Sequence, residues 1–153
     1  MNAPQLRGVR ILADMTDAQL NALSGYGKLL EFAPSQLIVE QGAPSNGLFL
    51  LLEGKVGAYV TEAHGNEVHL RTIESGGHFG EIGLLGGKRS ANVKAISRCR
   101  VFSLDDKAFQ GLMKTPDLAA PLLHGLSRSL AIRLADVTNR MATLWSQKDL
   151  WNV

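Results

Sequence analysis

The segment His78-Phe-Gly-Glu-Ile-Gly-Leu-Leu-Gly-Gly-Lys-Arg-Ser-Ala91 decides how this chain is read. It passes from a strand pattern through glycine and an acid into one apolar helical turn, then returns through Arg89 into a second strand. Gly80 has no Cβ, so a ligand can approach the backbone there. Residues 82–85 suffice for one turn of helix, whose free amides favour an anion. Arg89 offers a planar fork of donors matched to two oxygens of one phosphate. Glu81, acceptor-only when ionised, can take hydrogen bonds from adjacent sugar hydroxyls. Together they predict a ligand that is anionic at one end and hydroxylated nearby. Simpler roles stand beside these. Arg89 alone also reads as a solvated loop charge, Glu81 also caps its own turn, and Ser90 equally suits tight packing.

The flanking sequence divides into three zones. Residues 1–32 read as helical: Thr16-Asp-Ala-Gln19 fits a capping box ahead of Leu20, Leu23 and Tyr26, with Gly25 or Gly27 as the stop. Residues 33–104 change to short β-type runs at 48–52, 56–61, 68–73, 91–95 and 100–104. Gly42, Gly54, Gly65 and Gly76 punctuate them, the spacing of a sandwich, jelly roll or barrel. Gly65-Asn66 marks a hairpin tip. Residues 105–153 return to helix, first a short amphipathic piece carrying Phe109, Leu112 and Met113. A long helix follows, beginning near Pro116 or Pro121 and running about 36 Å from Leu122 to Trp145. The expected fold is thus a single mainly-β domain over 1–153, an antiparallel β-roll of about eight strands with flanking helices.

Composition narrows the function classes. Net charge is +2, too small to argue for nucleic acid or an anionic membrane. The longest apolar run, 48–52, is far short of a bilayer span, and residues 1–10 lack the apolar core of a secretory signal. The single cysteine, Cys99, lies in an apolar alternating stretch and reads as a buried thiol in a reducing, cytosolic setting. His64, His69, His78 and His124 are scattered, with no His-x-His cluster for a metal. No serine or cysteine nucleophile has a paired base, so catalysis is not expected.

Phe79-Gly-Glu-Ile-Gly-Leu-Leu85 followed by Arg89-Ser-Ala91 resembles the phosphate-binding cassette of cyclic-nucleotide-binding domains. Gly42, Leu48-Phe-Leu-Leu-Leu-Glu-Gly-Lys-Val56, Gly76, Leu104-Asp105, Phe109 and the late helix extend the resemblance over nearly the whole chain. The nearest likeness is to the effector half of bacterial catabolite-activator-type regulators. The resemblance implies a cassette at 79–91 in which Glu81 holds the ribose 2′-hydroxyl and Arg89 the exocyclic phosphate oxygens. Backbone amides at Gly80, Ile82 and Gly83 would complete the phosphate site, and Ser90 matches a hydroxyl contact seen in some members. Leu70 and Val93 would lie on the inner face of the roll if strand alternation holds. The implied ligand is cyclic AMP, with cyclic GMP open because of Ser90. The link Gly86-Gly-Lys88 is shorter than in some members, and those regulators continue into a helix-turn-helix domain beyond the point matching Val153.

Along the late helix, Leu123, Leu126, Leu130, Leu134, Val137, Met141 and Leu144 recur at steps of three and four. This is either packing onto the roll or the seam of a homodimer, and the length favours the dimer. Arg128, Arg133 and Arg140 flank the seam or face the pocket. Arg133, Val137, Thr138 and Trp145 are candidate base or lid contacts, while Trp145 and Trp151 also suit tail anchors. The expectation is a stand-alone cyclic-nucleotide sensor signalling to an unidentified protein partner. The alternatives are the effector half of a longer regulator and an interaction module that binds no nucleotide.

Overall fold

The computed structural model describes residues 3–44 and 47–151, with side-chain surroundings for 5–44 and 47–148. The chain opens with α1 (Ala3–Leu6), a 3-10 turn (Arg10–Leu12) and α2 (Asp17–Ser24). The roll follows: β1 (Lys28–Phe32), β2 (Leu37–Val39), β3 (Leu48–Glu53), β4 (Lys55–Thr61), β5 (Glu67–Glu74) and β6 (His78–Phe79). Then come α3 (Glu81–Gly86), β7 (Asn92–Ala95), β8 (Cys99–Leu104), α4 (Asp106–Met113) and α5 (Pro116–Trp151). Among the described residues the eight strands form two four-stranded sheets, ordered β1-β8-β3-β6 and β2-β7-β4-β5, with every pairing antiparallel.

Local chemistry explains most boundaries. The Thr16 hydroxyl accepts from the Gln19 amide and the Gln19 side chain accepts from the Thr16 amide, so α2 starts on a complete capping box. Asp105 caps α4 by accepting from the Ala108 amide at 2.7 Å. The β4–β5 hairpin closes where the Glu62 amide donates to the Asn66 carbonyl, with Gly65 at φ +85°. One expectation is corrected. Residues 28–32 are not helical but form β1, paired along β8 from Lys28–Ser103 to Phe32–Cys99. Its first four residues are exposed, so no alternating pattern announces the strand.

The apolar run of β3 is buried on both faces, as a strand between two cores must be. Leu48 and Leu50 pack toward the helices with Phe102, Leu104, Leu112 and Leu122. Phe49 and Leu51 pack inside the roll with Val56, Phe79, Val93 and Val101. Cys99 belongs to that inner core; burial raises its thiol pKa, and the S–H donates to main-chain oxygens of Lys55 and Ser97.

Helix α5 begins at Pro116 and carries Pro121 within it. Proline has no N–H, so Pro121 leaves the Asp117 carbonyl without its helical donor. The Gln19 side-chain amide fills that gap at 2.9 Å. Leu118, Ala119, Leu122 and Leu126 then anchor α5 in the helical core. Gly125 lies so close to the 3-10 turn that a Cβ there would be 1.9 Å from the Ile11 carbonyl oxygen. The expected seam is therefore shorter than the sequence pattern. Leu126, at 1% exposure, is intramolecular core, whereas Leu134 is 68% exposed and Val137, Met141, Leu144 and Trp145 are open with it.

Candidate functional site

Gly80 sits at φ +93°, a conformation that costs little only for glycine, and turns the chain from β6 into α3. A Cβ on Gly80 would also lie 2.8 Å from Arg89 Nη1, and one on Gly83 would lie 2.6 Å from Arg89 Cδ. Both glycines make the trough in which the Arg89 side chain lies. The Arg89 amide donates to the Ala43 carbonyl and the Gly42 amide donates to the Arg89 carbonyl, fixing the backbone at that point. The guanidinium donates to the Gly80 carbonyl and, at 2.8 Å, to the Gly47 carbonyl. It also stands 5.9 Å from the Phe49 ring centroid, within cation–π range. Arg89 is thereby 4% exposed and aimed along α3.

Glu81, 2% exposed, is the first residue of α3. Its Oε1 accepts from Arg133 Nη1 on α5 at 2.5 Å, and His78 Nε2 lies 3.9 Å from its Oε2. Burial opposes charge on Glu81, but His78, Arg133 and the backbone amide outweigh it and hold the carboxyl below its usual range. Burial, with the positive charges of Arg133, Arg71 and Arg10 added, pushes His78 down to about 4 against the pull of Glu81. His78 is therefore neutral at pH 7, and Arg133 is the charged partner of Glu81.

These groups border a cavity of about 330 Å³, at the small end of the roughly 300–1,000 Å³ usual for ligand sites. Gly80, Glu81, Ile82, Arg89, Ser90, Leu70 and Val93 line it, as do Arg133 and Val137. Gly83 lies behind it, beneath Arg89, while Thr138 and Trp145 are not in its wall. Thr138 instead donates to the Leu134 carbonyl, and Trp145 sits under Lys148 Nζ at 5.4 Å. The side chain of Trp151 lies outside the described residues.

Arg140 joins this wall, together with Arg71 and Asp136, which the sequence pattern did not single out. Arg133, Asp136, Val137 and Arg140 follow the three- and four-residue steps of one α5 face, a signal the periodicity contains. Arg71 is hidden by a bulge. Ala58 pairs with Arg71 and Tyr59 with His69, so Leu70 is the extra residue and strict alternation fails there. Leu70 and Arg71 consequently both reach the cavity. Four arginines (Arg71, Arg89, Arg133, Arg140) face two acids (Glu81, Asp136), leaving the wall positive.

Residues 29–116 match the family model of the cyclic nucleotide-binding domain, more than half of the chain. The chain is 32% identical over 131 residues to the cAMP-activated global transcriptional regulator CRP of Pasteurella multocida, covering 84% of this chain and 61% of that protein. It is 27% identical over 138 residues to the protein of the same name from Salmonella typhimurium, covering 83% and 66%. Among solved structures, the catabolite activator protein of Thermus thermophilus superposes with TM-score 0.78 at 26% identity, over 88% of this chain and 62% of that one. The regulatory domain of Toxoplasma gondii PKA, co-crystallised with cAMP, gives 0.72 at 25% identity, over 86% and 49%. The match over the roll defines a cyclic-nucleotide-binding domain. The chain belongs to the cyclic-nucleotide-binding domain family, in its catabolite-activator-like branch. It spans under two thirds of the length of the curated regulators it matches. Among the described residues no cluster of His, Cys, Asp and Glu could hold a metal, and no helix is long and apolar enough to cross a membrane.

Proposed function

We propose that this chain is a single cyclic-AMP-binding effector domain of a catabolite-activator-type regulator. The observation that carries the proposal is the pairing of a buried arginine and a buried carboxylate on one small, positively walled cavity. Arg89 supplies the phosphate contact, the amides at Gly80, Ile82 and Gly83 assist it, and Glu81 accepts from the ribose 2′-hydroxyl. The purine lies between Leu70 and Val93 on the roll and Arg133 and Val137 on α5. Cyclic AMP is favoured over cyclic GMP because the relatives are named as cAMP-activated. The same relatives favour an effector portion of a longer transcription regulator over a stand-alone sensor. The exposed apolar stripe of α5, from Leu134 through Val137 to Met141 and Leu144, serves as a homodimer seam.

Calorimetry with cyclic AMP and 2′-deoxy cyclic AMP tests this reading. Arg89→Ala weakens binding by about 30-fold or more, the cost of a lost charge-assisted contact. The 2′-deoxy ligand binds more weakly to the wild type by roughly 1.5–3 kcal/mol and shows little further penalty in Glu81→Gln. No heat with either cyclic AMP or cyclic GMP rejects the reading.

A further inference from the structure

A second and larger cleft, about 680 Å³, opens on the other side of Arg71 and Arg133. It lies between the 3-10 turn, the end of β5 and the first half of α5, and belongs to neither the cassette nor the exposed stripe. Five consecutive residues around the β5 end, 71–75, line it. A strand presents alternate residues to each face, so an unbroken run means that the strand edge forms this wall. β5 is an edge strand of its sheet.

The cleft's charge is unbalanced. Arg10, Arg71, Arg128 and Arg133 face it, against Asp14 and Glu74. Part of that charge is matched: Asp14 lies 3.3 Å from His124 Nδ1 and 3.7 Å from Arg128 Nη1, Glu74 pairs with Lys55 at 3.5 Å, and Arg133 pairs with Glu81. Neither Arg10 nor Arg71 forms a salt bridge within the described residues. The Arg10 guanidinium lies beside the turn at Gly76 and Gly77, and the Arg10 amide donates to the Gly76 carbonyl at 3.0 Å. A Cβ at either position would stand 3.3 or 3.4 Å from an Arg10 terminal nitrogen. Burial, and after it the neighbouring Arg133 charge, lowers the Arg71 pKa against the smaller opposing pull of Glu81.

We propose that this cleft is a second anion site, taking a soluble phosphate- or polyphosphate-bearing molecule through Arg10, Arg71 and Arg128. Planar forks converging from a turn, a strand and a helix suit a group with many oxygens, and the volume admits a ligand of nucleotide size. Arg71 lines both cavities, but Arg10 and Arg128 do not line the smaller one, so their variants separate this proposal from the cyclic-nucleotide reading.

Titration calorimetry of inorganic pyrophosphate at constant ionic strength tests it. The wild type binds one pyrophosphate per chain. Arg10→Ala and Arg128→Ala each weaken that binding by about tenfold, while Arg140→Ala, which removes a cation from the smaller cavity, leaves it unchanged. All three side chains are exposed, so the variants keep the fold. Absence of binding up to about 10 mM, a level at which even weak specific sites register, overturns the proposal. Weakening confined to Arg140→Ala overturns it too, by placing pyrophosphate in the smaller cavity. Equal weakening in all three variants points to long-range attraction without a site and likewise overturns it.

Discussion

Replacing Arg133 by alanine isolates the contact that ties the long helix to the cassette. The change leaves Glu81 ionised, 2% exposed and without its 2.5 Å partner. Breaking a fully buried pair costs about 3–5 kcal/mol. Here the Arg133 side chain is 25% exposed, and Glu81 keeps a backbone hydrogen bond, so about 2–3 kcal/mol is expected after screening. Glu81→Gln alone costs less, about 1 kcal/mol, because Arg133 can turn toward water. Arg133→Ala placed on Glu81→Gln then costs only about 1 kcal/mol, giving a coupling of roughly 1–2 kcal/mol. Urea unfolding of the four proteins at pH 7 measures the cycle. A coupling below about 0.5 kcal/mol, the limit for independent sites, refutes the assignment of Arg133 as the charged partner of Glu81.

Three further outcomes follow from named contacts. His78 titrates at about 4 folded and near 6.5 unfolded, so its stabilisation is complete above pH 6.5 and lost as pH falls toward 4. That amounts to about 3 kcal/mol, and urea midpoints at pH 7 and 4.5 show a smaller loss in His78→Gln than in the wild type. Gly83→Ala puts a Cβ 2.6 Å from Arg89 Cδ. Although alanine suits a helix better, cyclic-AMP affinity measured by calorimetry falls by about tenfold as the guanidinium is displaced. Leu134→Glu, on an open part of α5, leaves the melting temperature within a few degrees and converts dimer to monomer in sedimentation.

That Gly80, Glu81 and Arg89 border one cavity was legible because they lie within ten residues and report their own turn. The helical starts at Thr16 and Asp105 were legible for the same reason, since a cap is a local hydrogen bond. What escaped depends on distant partners. The β1 strand buries little beyond Phe32, so its pairing with β8 is what defines it. Arg71 reaches the cavity through a bulge that is set by β4 rather than by β5 itself. The repeat from Leu123 to Leu144 is continuous in sequence yet changes meaning at about Leu130, where the helix leaves the core. Periodicity reports that a face is apolar; it cannot say which surface covers it.

The manner in which α5 is mounted makes it a lever. Its root is clamped by apolar contacts, by the Gly125 approach to Ile11 and by Gln19 on the Asp117 carbonyl. Beyond Leu130, its ion pair to the roll is Arg133 on Glu81 within the described residues. Trp151 lies twenty-one residues past Leu130, about 32 Å along the axis, so a tilt of about 5° where the helix leaves the core carries that end about 3 Å. An exchange of one ionic contact near the fulcrum is thus magnified at the far tip, where a displacement of that size suffices to change which surfaces meet.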